Sequence, residues 1–134
     1  MGPPRAMVAY DGSPAARRAL VHAADIVGRT GSVDVVNVIP VQSVGSRLET
    51  VSDGQLEQQE AILAEAEAVL ASHGVDAELV AACGDPYTEI LATAERREIQ
   101  ILVVGRGRRW RHILGGSLAI QLAGRSHRDV LVVS

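Results

Sequence analysis

The chain of 134 residues is long enough for one domain with a core of its own, so neither a disulfide nor a structural metal is required to hold it together. All 13 basic residues are arginine, which excludes Schiff-base chemistry and a phosphate-binding P-loop lysine. The formal net charge of −3 gives no general attraction to nucleic acid or anionic lipid.

Short aliphatic runs alternate with longer stretches of helical period, the pattern of βαβ units and of a parallel sheet covered on both faces. A first strand is predicted at 6–10, followed by the turn Asp11-Gly12-Ser13-Pro14, with Ser13 as helix N-cap and Pro14 at the first helical position. The first helix runs to Val27 with Ala16, Ala19, Leu20, Ala23 and Val27 on one face. The second strand, 33–39, is apolar at nearly every position after Asp34 except Asn37, as a central strand should be, and Pro40 stops it. Residues 41–52 are polar, Ser-rich and without clear period, and are expected to form a mobile connection. A second helix over 53–73 places Leu56, Leu63 and Leu70 at heptad spacing with Ala66 between, all expected inward, and ends at Gly74. A third strand, 77–82, ends at Gly84-Asp85-Pro86, and a third helix turns Ile90, Leu91 and Ala94 inward. The fourth strand is 101–104. A glycine- and arginine-rich loop, 105–116, leads to a last helix over 117–123 and a closing strand over 130–133.

In an open parallel sheet ligands bind beyond the carboxyl ends of the strands, so the informative residues are those that follow strands. These are Asp11-Gly12-Ser13, then Gly105-Arg106-Gly107, and Gly115-Gly116-Ser117 at a helix start. Glycines let backbone N–H groups approach phosphate, and a helix N-terminus adds unpaired donors and the positive end of its dipole. The same glycines also serve as turn punctuation. Asp11 can bond a ribose or base, or organise its own turn through neighbouring amides. Ser117 can meet phosphate and cap its helix at once.

The run 106–112 (RGRRWRH) has basic and aromatic character but a small footprint in an acidic chain, so no nucleic-acid partner is expected. The lone Cys83 is read as a small buried hydrophobe, and His22, His73, His112 and His127 lack metal-ligand spacing, so no metal site is expected. No nucleophile elbow, dinucleotide fingerprint or Walker motif is present, and no catalytic residue is assigned. One cysteine, no signal-type apolar segment near Met1 and no run of membrane-spanning length lead to the expectation of a cytoplasmic protein.

Taken together, Ala9-Tyr10-Asp11-Gly12-Ser13 closing the first strand, the Gly84-Asp85-Pro86 turn, Val103-Val104-Gly105 followed by Gly116-Ser117, and the final Val130-Leu131-Val132-Val133 resemble the universal stress protein family over essentially the whole chain. The resemblance implies one domain over 1–134, an α/β fold of the adenine-nucleotide alpha-hydrolase-like type with five parallel strands in order 3-2-1-4-5 and helices on both faces. It implies homodimers through Val130, Leu131, Val132 and Val133. In one branch of the family ATP is held by a Gly-x2-Gly-x9-Gly-Ser/Thr loop, and other branches lack both loop and ATP. The spacing here, Gly105-x1-Gly107-x8-Gly116-Ser117, is two residues shorter, with Arg106, Arg108, Arg109 and Arg111 available to supply charge. Carried over position by position, Ala9, Tyr10 and Asp11 would flank the adenosine and Val38 would pack on the base or ribose. Gly105, Gly107, Gly116 and Ser117 would meet phosphate, with Arg106 beside them. The expected function is a small dimeric stress-response or regulatory module whose cofactor is ATP or another adenine nucleotide. Two alternatives stay open: an ATP-independent protein-interaction module, and a slow ATPase or a protein that phosphorylates its own Ser117.

Overall fold

The computed structural model describes residues 4–29, 31–41, 43–44, 47–48, 50–106 and 128–134. The elements in chain order are β1 (Ala6–Ala9), α1 (Pro14–Val27), β2 (Ser32–Pro40), β3 (Ser43–Val44), β4 (Arg47–Leu48), α2 (Asp53–Ser72), β5 (Asp76–Gly84), α3 (Pro86–Arg96), β6 (Ile101–Gly105) and β7 (Asp129–Val133). Five of these strands form one parallel sheet in the order β5-β2-β1-β6-β7, which is third, second, first, fourth and fifth in chain order, as the family resemblance implies. The short β3 and β4, within the connection between β2 and α2, pair antiparallel with Ser43 opposite Leu48.

Alternation along the strands divides the core in two. Val8 and Val35 turn to one face, against Leu20 of α1 and Leu63 and Leu70 of α2. Met7, Val36 and Leu102 turn to the other, against Ile90 and Ala94 of α3. β1, in the middle of the sheet, is buried at all four positions, and each fully buried Leu, Val, Ile or Met contributes about 1.5–3 kcal/mol. The predicted helix over 117–123 lies outside the described residues.

The helix starts follow their local chemistry. Ser13 accepts from the Ala16 amide (3.2 Å) to cap α1, Ser52 and Gln55 form a capping box on α2, and Asp85 accepts from the Thr88 amide (2.9 Å) to cap α3. Near the amino end of β2 the buried Asp34 accepts from Arg97, which follows α3, and from Arg5 (3.4 Å). The hydrogen bond to Asp34, foremost among its interactions, holds the Arg97 pKa above its ordinary value. A buried carboxylate so paired fixes α3 against the sheet, far from the carboxyl ends where ligands bind.

Two expectations about burial are corrected. Leu56 is 49% exposed, and Cys83 is exposed too. They belong to α2 and β5, at the edge of the sheet, where among the described residues no further strand stands beyond β5 to cover them.

Candidate functional site

The chain leaves β1 through Tyr10, whose side chain is fully buried between α1 and α2. Its hydroxyl donates to Glu65 Oε1 (2.6 Å), and Arg17 donates to the same oxygen through Nε (2.9 Å) and Nη2 (2.6 Å). Burial first, and then the bond to Glu65, pushes the Tyr10 pKa up to about 12. Glu65 is held below the usual carboxylate range, chiefly by the hydrogen bond from Tyr10 and then by Arg17. The Tyr10 side chain is therefore part of the helix packing, and what it presents toward the strand ends is backbone.

That backbone is held from β2. Asn37, buried, donates through Nδ2 to the Tyr10 carbonyl (2.7 Å), while the Tyr10 amide donates to the Val36 carbonyl (2.9 Å). Immediately afterwards Asp11 Oδ1 accepts from the Ser13 amide (2.9 Å), and Gly12 takes φ +83°, a conformation that favours glycine. Asp11 thus does organise its own turn. It also borders a hollow of about 260 Å³ at the carboxyl ends of β1 and β2.

Asn37, Val38, Ile39 and Pro40 of β2 form one wall of this hollow, Gln55, Gln58, Gln59 and Ile62 of α2 the other, and Pro86 opens α3 beside it. Gln59 is buried and donates through Nε2 to the backbone carbonyls of Asn37 (2.8 Å) and Ala82 (2.9 Å), with Asn37 Oδ1 at 3.1 Å. Backbone carbonyls accept only, so the orientation of this amide is dictated. One amide pair thereby ties together the ends of β1, β2, β5 and α2. Sequence reasoning missed Gln59 as a site residue, although it falls between Leu56 and Leu63 in the inward stripe of α2. Asn37 was visible as the one polar interruption of a strand buried on both faces.

Of the residues expected at the site, the structure brings Asp11 and Val38 to the hollow, while Ala9 does not line it and is buried in the core on the α3 face of the sheet. Gly105 lies at the end of β6, where a Cβ would stand 2.5 Å from Ala15 C and from Ala16 N. This glycine has a packing reason that no ligand enters: the first turn of α1 crosses β6 at backbone contact. Arg106 is exposed, and its amide donates to the Val133 carbonyl (2.6 Å) of β7. Gly107, Gly116 and Ser117 lie outside the described residues. Among the described residues no three His, Cys, Asp or Glu side chains group to hold a metal, and no helix is long and apolar enough to cross a membrane.

The model of the universal stress protein family matches residues 4–134. Among solved structures, a universal stress protein in complex with cAMP is 26% identical, with a TM-score of 0.75 over all of this chain and 99% of that one. Universal stress protein UspA from Lactobacillus plantarum is 18% identical, with a TM-score of 0.79 over 100% of this chain and 99% of that chain. The universal stress protein from Archaeoglobus fulgidus in complex with dAMP is 22% identical, with a TM-score of 0.71 over 100% of this chain and 98% of that chain. At these identities the last two share the fold. No curated protein matches.

Proposed function

Because the chain belongs to the universal stress protein family, we propose that it is a small regulatory module holding an adenine nucleotide in the hollow at the carboxyl ends of β1 and β2. The observation that carries this reading is the convergence of Asp11 and Val38 on that hollow, an acceptor for a sugar hydroxyl beside an aliphatic wall for a base. A relative 26% identical over its full length is solved in complex with cAMP, which supports an adenine nucleotide as the ligand class. A volume of about 260 Å³ suits a nucleoside-sized group, with phosphates extending outward from it. In this reading the module works as a cytoplasmic dimer joined at β7 and responds to nucleotide levels in a stress response.

Mass spectrometry of the freshly purified, denatured protein is expected to release an adenine nucleotide. Calorimetric titration with cAMP, AMP and ATP is expected to give saturable binding that Asp11→Ala weakens about tenfold or more, as loss of a charge-assisted hydrogen bond of ~1.5–3 kcal/mol implies. No retained nucleotide and no binding at millimolar concentration would remove this reading.

A second reading, the ATP-independent interaction module, is favoured by one feature at β6. The Arg106 amide is already bonded to Val133, and the glycine spacing from Gly105 is two residues shorter than the family's ATP loop. The titration separates the two, and phosphate release or a phosphorylated Ser117 in the ATP arm would reveal slow turnover.

A further inference from the structure

Adjoining the hollow at Gln59 but otherwise with a lining of its own, α2 and β5 form an open groove that the proposed function does not use. We infer that it receives an extended, basic segment of a partner protein, added as a strand to the free edge of β5.

Three observations converge on this. Among the described residues β5 is an edge strand of the sheet whose one strand partner is β2, so alternate residues from Asp76 to Gly84 turn their N–H and C=O away from the ladder, with the Ala82 carbonyl taken by Gln59. The strand is nine residues long and contains no Pro or Lys, the residues with which exposed edges are ordinarily blunted. Beside it the groove is apolar where it should be covered: Leu56 is 49% and Leu79 39% exposed, above Leu63, Ala64 and Ala81.

Charge identifies the occupant. Between them α2 and β5 carry seven carboxylates (Asp53, Glu57, Glu60, Glu65, Glu67, Asp76 and Glu78) and no Lys or Arg, in a chain that holds 13 arginines elsewhere. Two of the seven, Glu60 and Glu67, line the groove itself, and neither is ion-paired among the described residues. A second copy paired edge to edge would set these acidic surfaces against each other. An arginine- or lysine-bearing strand would neutralise them. Glu60 and Glu67 are seven residues apart on α2, roughly 10 Å along its axis, and residues four apart on a strand are separated by about 13 Å. An apolar residue opposite Leu79 with a basic residue two positions to either side therefore matches the groove, a β-augmentation with side-chain selectivity.

The probe is the capped peptide Thr-Arg-Thr-Val-Thr-Arg-Thr, titrated into the isotope-labelled full chain, with the peptide carrying Glu in place of Arg as control. The expected result is chemical-shift change concentrated at the amides of 76–84, with at least tenfold weaker binding for the surface double variant Glu60→Lys/Glu67→Lys and for Leu79→Lys, and none for the Glu peptide. Absence of shifts on β5, equal binding of the Glu peptide, or indifference to the charge reversal would overturn the inference. So would a dimer that Leu79→Lys dissociates and Val132→Lys leaves intact, since that would make a second copy the occupant. The nucleotide titration is independent of these outcomes, so failure here is distinguishable from failure of the proposed function.

Discussion

Asn37 Nδ2 donates to the carbonyl of Tyr10 at 2.7 Å, so a side chain of β2 fixes the backbone just past β1, one residue before Asp11. Asn37→Ala removes that donor from a buried carbonyl, at a cost of about 1–3 kcal/mol, and loosens the site as well. Asn37→Asp is expected to be worse at neutral pH, because a carboxylate facing the same carbonyl only accepts. Urea unfolding should rank the proteins wild type, Ala, Asp in decreasing stability, and an aspartate variant as stable as wild type would contradict the assigned donor.

Two glycines near the strand ends should respond to the same substitution in different degrees. Gly105→Ala puts a methyl 2.5 Å from the backbone of Ala15 and Ala16, so β6 and α1 must separate, with a loss of about 1–3 kcal/mol or more. Gly12 has open space around it and φ +83°, so Gly12→Ala meets only backbone strain of about 1–2 kcal/mol. Denaturation midpoints measured without nucleotide should fall further for Gly105→Ala. If both are unchanged and only nucleotide affinity falls, the packing explanation of Gly105 is wrong.

The Tyr10 hydroxyl gives the protein an alkaline limit. Its pKa is raised from 10.0 to about 12 in the folded chain, so this contribution is fully present below pH 10 and is lost as pH rises toward 12. Two units correspond to roughly 2–3 kcal/mol. Glu65 works in the opposite direction: its pKa is lowered, so its contribution is present above the ordinary carboxylate pKa and is lost as pH falls through the folded value. Thermal melts in the alkaline window should drop more steeply for wild type than for Tyr10→Phe. Parallel curves would remove Tyr10 as the titrating group.

At the opposite edge of the sheet from β5, Leu131 is 38% and Val132 36% exposed on β7. Val132→Lys should reduce the sedimenting mass from that of a dimer to that of a monomer with the circular dichroism unchanged, since a charge on an unpaired apolar edge opposes strand addition. A dimer that persists would place the interface elsewhere.

Local pattern carried much of this structure and missed the rest for a definite reason. Short aliphatic runs bounded by Pro40, Gly84 and Gly105 marked the strands, and Ser13 and Pro14 marked a helix start, because these residues act on the backbone within a few positions. Burial of Leu56 and Cys83 was misjudged because being apolar at the right period does not say whether a neighbouring strand exists; that depends on the order of the sheet. Asp11 was legible as a residue after a strand. Gln59 was not legible as a site residue, because its partners, Asn37 and Ala82, come from two strands distant in sequence, and one of three glutamines in the first half of α2 resembles surface until those strands assemble. The close crossing at Gly105 was hidden likewise, since Ala15 is ninety positions away in sequence.

That crossing has a consequence for how the protein is made. β1, α1, β2, α2 and β5 emerge from the ribosome as one continuous stretch and can pair in order, Ala6 against Val33 and Ser32 against Asp76. The other flank of β1 is covered only once β6 has been made, because β6 pairs Ala6 with Ile101 and packs Gly105 against the first turn of α1. Until then the most completely buried strand of the molecule is an open aliphatic edge in a half-made chain. Long-range parallel pairing is slow, and such edges are where nascent chains aggregate.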